Sequence, residues 1–222
     1  MIDAVLSDID ETLIDNNALH VLAWQRAFHR IGTHVDGNTI LHKIGMGGDQ
    51  LAPSILGPDT GDAIKQVQHF HGEEYTKKGL IDHAEPLPGA ADLLDVLRAR
   101  GIRVALASSA KPEEAQKYLA LLGGPEIVDA VITSEDVAAT KPAPDIFAVA
   151  LDKLGKPGHP LAIGDTVYDI ESAKKMDIPC VAVMSGGIER ALLMEAGAAA
   201  VYLDIADLLL HLDHILSGRF AL

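Results

Sequence analysis

The sequence predicts a doubly wound α/β fold, a Rossmann-like parallel sheet interrupted by an inserted helical cap domain. Three observations lead there. Short apolar runs recur along the chain, amphipathic helical patterns alternate with them, and one long stretch after the first run carries helical patterns alone. Apolar runs of this length suit parallel strands covered on both faces.

The elements follow in order. Ala4–Ser7 (AVLS) is the first strand. From Asp15 to Pro86 no convincing strand appears. Val21, Trp24, Phe28 and Ile31 mark one amphipathic helix there, and Ile64, Val67 and Phe70 mark another. EPLPG (Glu85–Gly89) has the Pro/Gly content of a return linker. The predicted division is therefore a core domain of residues 1–14 and 87–222 and a helical cap domain of residues 15–86. Ala90, Leu93, Leu94 and Leu97 then repeat at helical spacing, with Gly101 as the stop. Strands are expected at Val104–Ala107, Ala130–Thr133, Leu161–Ile163 and Cys180–Val183, and more weakly at Val201–Leu203. Pro112 and Pro144 sit where the first turns of two further helices should lie.

Composition narrows the function. The chain has 222 residues, 48% of them hydrophobic, so material for a core is ample. Acidic residues number 32 against 18 basic ones, a net charge of −14, and no basic tract exists. Nucleic-acid and anionic-membrane binding are excluded as expectations, because phosphate backbones select basic faces. An anionic small substrate would need local positive charge from a bound metal and a lysine or two. No apolar run approaches the roughly 18 residues of a membrane span. The start, MIDAVLSDIDETL, lacks a basic n-region and an apolar h-region, so a cytoplasmic protein is expected, a monomer or homodimer. The single cysteine, Cys180, lies in the apolar run IPCVAV and reads as a buried structural thiol.

Four polar clusters each follow an apolar strand: Asp8-Ile-Asp10-Glu-Thr12, Ser108-Ser109, Lys141-Pro142, and Gly164-Asp165 with Asp169. In a parallel sheet these strand ends share one edge, so the clusters converge. An aspartate after a strand is, taken alone, a helix N-cap. Four such clusters in order, with these residue types, point to a site.

With those residues in hand, the chain resembles the haloacid dehalogenase superfamily, in the branch with a helical cap after the first strand. The usual first motif DxDGT is DIDET here; ALASSAK, TKPAPDIF and IGDTVYD match the second, third and fourth. The resemblance is strongest to phosphoglycolate phosphatase-like and β-phosphoglucomutase-like proteins. It implies a Mg²⁺-dependent phosphatase acting on a small phosphorylated metabolite. Asp8 would be the nucleophile and Asp10 the general acid/base. Asp8, the Asp10 carbonyl and Asp165 would hold Mg²⁺, with Asp169 orienting a metal-bound water. Ser108 would hold phosphate oxygens, and Lys141 would offset the crowded negative charge. Ser109, Lys111 and Thr12 are either phosphate contacts or local capping residues. His20, on the first cap helix, resembles a histidine common in this branch. His42, Lys43, Met46 and Asp49 lie on a cap loop similar to one that faces the active site in this branch, so they are either leaving-group contacts or an exposed cap turn. Two positions depart from the pattern: Glu11 replaces the usual Gly, and Ser7 replaces a large apolar residue. The alternative on the same scaffold is a phosphomutase, and from another class a non-catalytic phosphate-binding regulatory protein. A halide-releasing dehalogenase would not need Asp10 or Asp165.

Overall fold

A computed structural model of the chain describes residues 1–220. Six strands form one parallel sheet: β1 (Ala4–Ser7), β4 (Arg103–Ala107), β5 (Ala130–Ile132), β6 (Pro160–Gly164), β7 (Cys180–Val183) and β8 (Ala200–Tyr202). Their spatial order is β5-β4-β1-β6-β7-β8. The chain moves outward from β1 on one side, then returns and builds the other side. β1 is therefore central, and the crevice where the winding reverses opens at its carboxyl end.

The two faces of the sheet differ in bulk. Val5, Leu106, Leu161, Ile163, Val181 and Val183 point to one face. They pack against α5 (Ala90–Ala99), α6 (Pro112–Leu122) and the C-terminal helices α10 (Ile205–Leu210) and α11 (Leu212–Leu216). Ala4, Ala105, Ala107, Ala162 and Ala182 point to the other. There α7 (Asp145–Lys153), α8 (Val167–Lys174) and α9 (Arg190–Ala196) cover the sheet. β4, β6 and β7 thus set larger residues on one face and smaller ones on the other, whereas Leu6 and Val201 put bulk on the second face.

The insert leaves and re-enters the core through a short antiparallel ribbon, β2 (Ile14–Asp15) with β3 (Glu85–Pro86). Between them lie α1 (Asn17–Arg30), α2 (Gly37–Leu41), α3 (Gly48–Leu56), α4 (Gly61–Gly72) and a π-helical turn at Glu73–Lys77. The buried stripe of α1 is His20, Ala23, Trp24, Ala27 and Phe28. It is rotated from the stripe expected from the bulky residues, so that Val21 and Ile31 are only half-buried and the small Ala23 and Ala27 face inward. That rotation carries His20 to the core side. Trp24, Phe28, Ile40, Leu51 and Val67 give the insert its own apolar cluster.

Candidate active site

Backbone pairing places the polar clusters. Ser7 registers with Leu106 on one side and with Ile163 on the other. The Asp8 N–H donates to the Ile163 carbonyl at 2.8 Å, and the Ser108 N–H to Ile132 at 3.1 Å. Asp8, Ser108 and Asp165 therefore stand side by side at three adjacent strand ends. Lys141 arrives from the loop between β5 and α7 and is only 1% exposed.

Charge is the dominant feature here. The Lys141 ammonium lies 2.5 Å from Asp8 Oδ1 and 2.8 Å from Asp169 Oδ1. Oxygens of Asp8, Asp165 and Asp169, all buried, lie within 4.8 Å of one another. Burial pushes the Asp8 carboxyl up to about 8; Lys141 opposes the rise, and Asp169 and Asp10 add to it. Burial, Asp169 and Asp8 together push Asp165 well above the carboxylate range. Burial works against the charged form of Lys141, but Asp169 and Asp8 outweigh it and raise its affinity for the proton. One ammonium cannot balance these acids. An all-carboxylate oxygen set with surplus negative charge suits a hard divalent cation, and a cation there would return the acids to their ionised forms. The fit is close at the rim, where a Cβ on Gly186 would overlap an Asp165 carboxylate oxygen.

Asp10 is held from the insert side. The Asn16 side-chain amide donates to Asp10 Oδ1 and also, at 3.0 Å, to the Tyr118 hydroxyl. Tyr118 of the core and Tyr75 of the insert share a hydroxyl–hydroxyl bond of 2.6 Å. His20 Nε2 lies 3.5 Å from Asp10 Oδ1, and His20 Nδ1 lies 3.2 Å from His71 Nε2. Burial alone would raise the Asp10 carboxyl; His20 and Asn16 outweigh it and hold it below its usual value. Ser108 Oγ donates to Asp10 Oδ2 at 3.3 Å.

The turn after Asp10 is tight. Glu11 adopts a left-handed backbone (φ 53°), where glycine is at ease and another residue costs about 1 kcal/mol. Its side chain is nonetheless buried. Glu11 Oε1 accepts from the Asn16 N–H at 3.0 Å and the Asn17 N–H at 2.7 Å, and the Glu11 carbonyl accepts from the Ser185 hydroxyl. Burial pushes the Glu11 carboxyl up to about 7.

A cavity of about 470 Å³ lies between core and insert. Asp8, Asp10 and Ser109 floor it, Trp24, Met46 and Leu51 line its insert side, and Lys65 and Lys111 supply cationic groups. The loop before α3 presses onto the core. A Cβ on Gly45 would overlap Thr166, and one on Gly47 would overlap Thr140. Asp49 accepts from the Thr140 hydroxyl and, at 3.2 Å, from the Thr140 N–H. Tyr168 OH donates to the His42 carbonyl at 3.1 Å.

Each residue singled out in the sequence now has a place. Asp8, Asp10, Ser108, Lys141, Asp165 and Asp169 are brought together. Asp169 Oδ2 accepts from the Thr166 hydroxyl at 2.6 Å, which fixes its rotamer while Oδ1 faces Lys141. Ser109 lines the cavity, and its buried hydroxyl has no partner among the described residues. Thr12 is fully buried behind the cavity wall and its hydroxyl lies 3.3 Å from Asp165 Oδ1, so it steadies an acid. Met46 and Asp49 line the cavity; His42 and Lys43 do not. Asn16, Tyr75, Tyr118, His71 and Thr140 carried no signal in the sequence.

Comparisons with known proteins identify the family. The family model for haloacid dehalogenase-like hydrolases matches residues 2–177. Pyrophosphatase PpaX of Oceanobacillus iheyensis is 27% identical over 82% of this chain and 83% of its own length. SUPPRESSOR OF QUENCHING 1, a chloroplastic protein of Arabidopsis thaliana, is 27% identical over 98% of this chain, which spans only 21% of that protein. The crystal structure of a hydrolase from Pseudomonas syringae superposes with a TM-score of 0.88 at 32% identity, covering 96% of this chain and 98% of that one. The chain belongs to the haloacid dehalogenase-like hydrolases.

Proposed function

We propose that the protein hydrolyses a small phosphorylated metabolite in the cytoplasm, with Mg²⁺ as cofactor and an aspartyl-phosphate on Asp8 as intermediate. The observation that carries the reading is the pairing of two unlike carboxyls on one turn. Asp8 is buried against an ammonium, and Asp10 faces the cavity in a cage of hydrogen bonds. An Asp8 oxygen attacks phosphorus, and the bond from phosphorus to the leaving oxygen breaks. Asp10 gives its proton to that oxygen. A water then attacks phosphorus, Asp10 takes its proton, the Asp8–phosphorus bond breaks, and inorganic phosphate leaves. An arriving phosphate dianion raises the proton affinity of Asp10, which prepares it for the first step. Lys141 holds charge at Asp8, and the unpartnered Ser109 hydroxyl is free to take a phosphate oxygen. Asp8, the Asp10 carbonyl and Asp165 would hold Mg²⁺, with Asp169 behind them, and the bound ion would supply neutralising charge to the phosphoryl group. Residues 15–86 act as the cap domain, closing over the core of residues 1–14 and 87–222 to exclude water.

The Asp8→Asn variant tests this reading. Turnover of small phosphate esters should vanish while the far-ultraviolet spectrum and melting temperature persist. Undiminished turnover would end the nucleophile assignment. A phosphomutase on the same residues would instead isomerise a sugar phosphate when primed with a bisphosphate, and the same substrate panel separates the two.

A further inference from the structure

Helix α1 begins at an anomaly. Its N-cap residue, Asn16, makes no side-chain cap bond, although asparagine is among the best N-caps. The Asn16 amide is turned the other way, onto Asp10 and Tyr118. Its carbonyl oxygen and that of the Asn17 side chain have no partner among the described residues. The first backbone N–H groups of a helix need acceptors; the Leu19 N–H finds the Asn16 carbonyl at 3.0 Å, but the Asn16 and Asn17 N–H groups find none on the helix itself.

Glu11 supplies it, from the far side of the turn. Its carboxylate reaches the Asn16 and Asn17 N–H groups through one oxygen. A negative group there also complements the helix dipole. Its carbonyl is tied to Ser185, in the core loop where Gly186 packs against Asp165. One residue thus joins the core loop, the turn after Asp10 and the first turn of the insert. We infer that Glu11 is a positioning residue: it caps α1 in place of Asn16, and so releases Asn16 and aligns His20 to hold Asp10. The left-handed backbone of Glu11 has a counterpart in this role, since a glycine in the same turn would relieve the strain and lose the clamp.

The inference rests on Asp10 as the acid/base, but its first test does not. Amide hydrogen exchange at Asn16 and Asn17, followed by NMR, should accelerate at least tenfold in Glu11→Ala and Glu11→Gly. Glu11→Gln keeps the accepting oxygen and should retain protection. Wild-type exchange in the alanine variant overturns the clamp. The second test reads the consequence. With a small phosphate ester, kcat should fall about 10- to 100-fold in the alanine and glycine variants, with KM changed far less, as misplacement of a reacting group predicts. Glu11→Gln should restore kcat to within about threefold of the parent, with unchanged melting temperature. A glycine variant with parental kcat, or a glutamine variant as slow as alanine, overturns the positioning role. If the parent enzyme turns over no phosphate ester, the proposed function fails by itself, and the exchange rates still decide the clamp.

Discussion

Asp169 holds Lys141 with one carboxylate oxygen, at 2.8 Å, and is itself held through the other by Thr166. Lys141 in turn reaches Asp8. The ammonium is thereby fixed at two points, so its charge is already in place before any substrate arrives. Preorganised charge of this kind acts without rearrangement during the reaction.

Lys141→Met should therefore lower kcat by roughly 10²–10³-fold. It should also destabilise the metal-free protein by about 3 kcal/mol, because removing one member of a buried ion cluster strands the others. Steady-state kinetics and urea denaturation in EDTA check the two halves. A variant as stable as the parent would show that the acids neutralise themselves by taking up protons.

The acid cluster also fixes the sign of a pH dependence. The unfolded Asp8 carboxyl ionises near 3.8, whereas burial and neighbouring acids raise the folded value to about 8. Between those values the folded state binds more protons than the unfolded state. Stability of the metal-free protein should thus be greatest at the acid end of this window for this group, and be lost as pH rises toward 8. Asp165 shifts in the same direction. Mg²⁺ should raise the melting temperature most at the alkaline end, where it replaces protons as the counter-charge. Melting scans from pH 5 to 8, in EDTA and in Mg²⁺, test this; parallel curves would refute it. EDTA should likewise abolish turnover, and Mg²⁺ restore it.

The cap loop yields a steric prediction. Gly47 faces Thr140 with no room for a Cβ, and Asp49 bonds the same threonine. Gly47→Ala should prevent that approach, leaving the fold intact while lowering kcat/KM by about 10-fold or more. Thr140→Val, which removes the hydroxyl and keeps the shape, should do less. Equal kinetics in the alanine variant and the parent would mean that the loop need not seat for turnover.

Much of the fold was legible because a parallel sheet writes itself as apolar runs. The strands at Ala4–Ser7 and Cys180–Val183 coincide with the runs that suggested them. The ribbon at Ile14–Asp15 and Glu85–Pro86 was not legible, since a pair of residues has no periodicity. Convergence of Asp8, Ser108, Lys141 and Asp165 was legible because polar clusters that follow parallel strands share one edge of the sheet. The support for Asp10 was not. Asn16 reaches Asp10 across only six residues, but no periodicity marks it, and Tyr118 and His71 act through pairings that span 102 and 51 residues of sequence. The stripe of α1 misled for a related reason: bulk in Val21 and Ile31 suggested burial, whereas alanines allowed the close approach.

The antiparallel pairing of Ile14 with Pro86 and Asp15 with Glu85 has a consequence for the chain as a polymer. The two ends of the insert are clasped side by side, so the sheet meets the whole segment as one closed loop. Loop-closure entropy grows only with the logarithm of length, about 0.6 kcal/mol for each doubling. Helices can therefore be gained, lost or exchanged beyond the clasp at little cost to the folding of the sheet. Substrate range can then diversify in one part of the molecule while the reacting groups stay where the central strand ends put them.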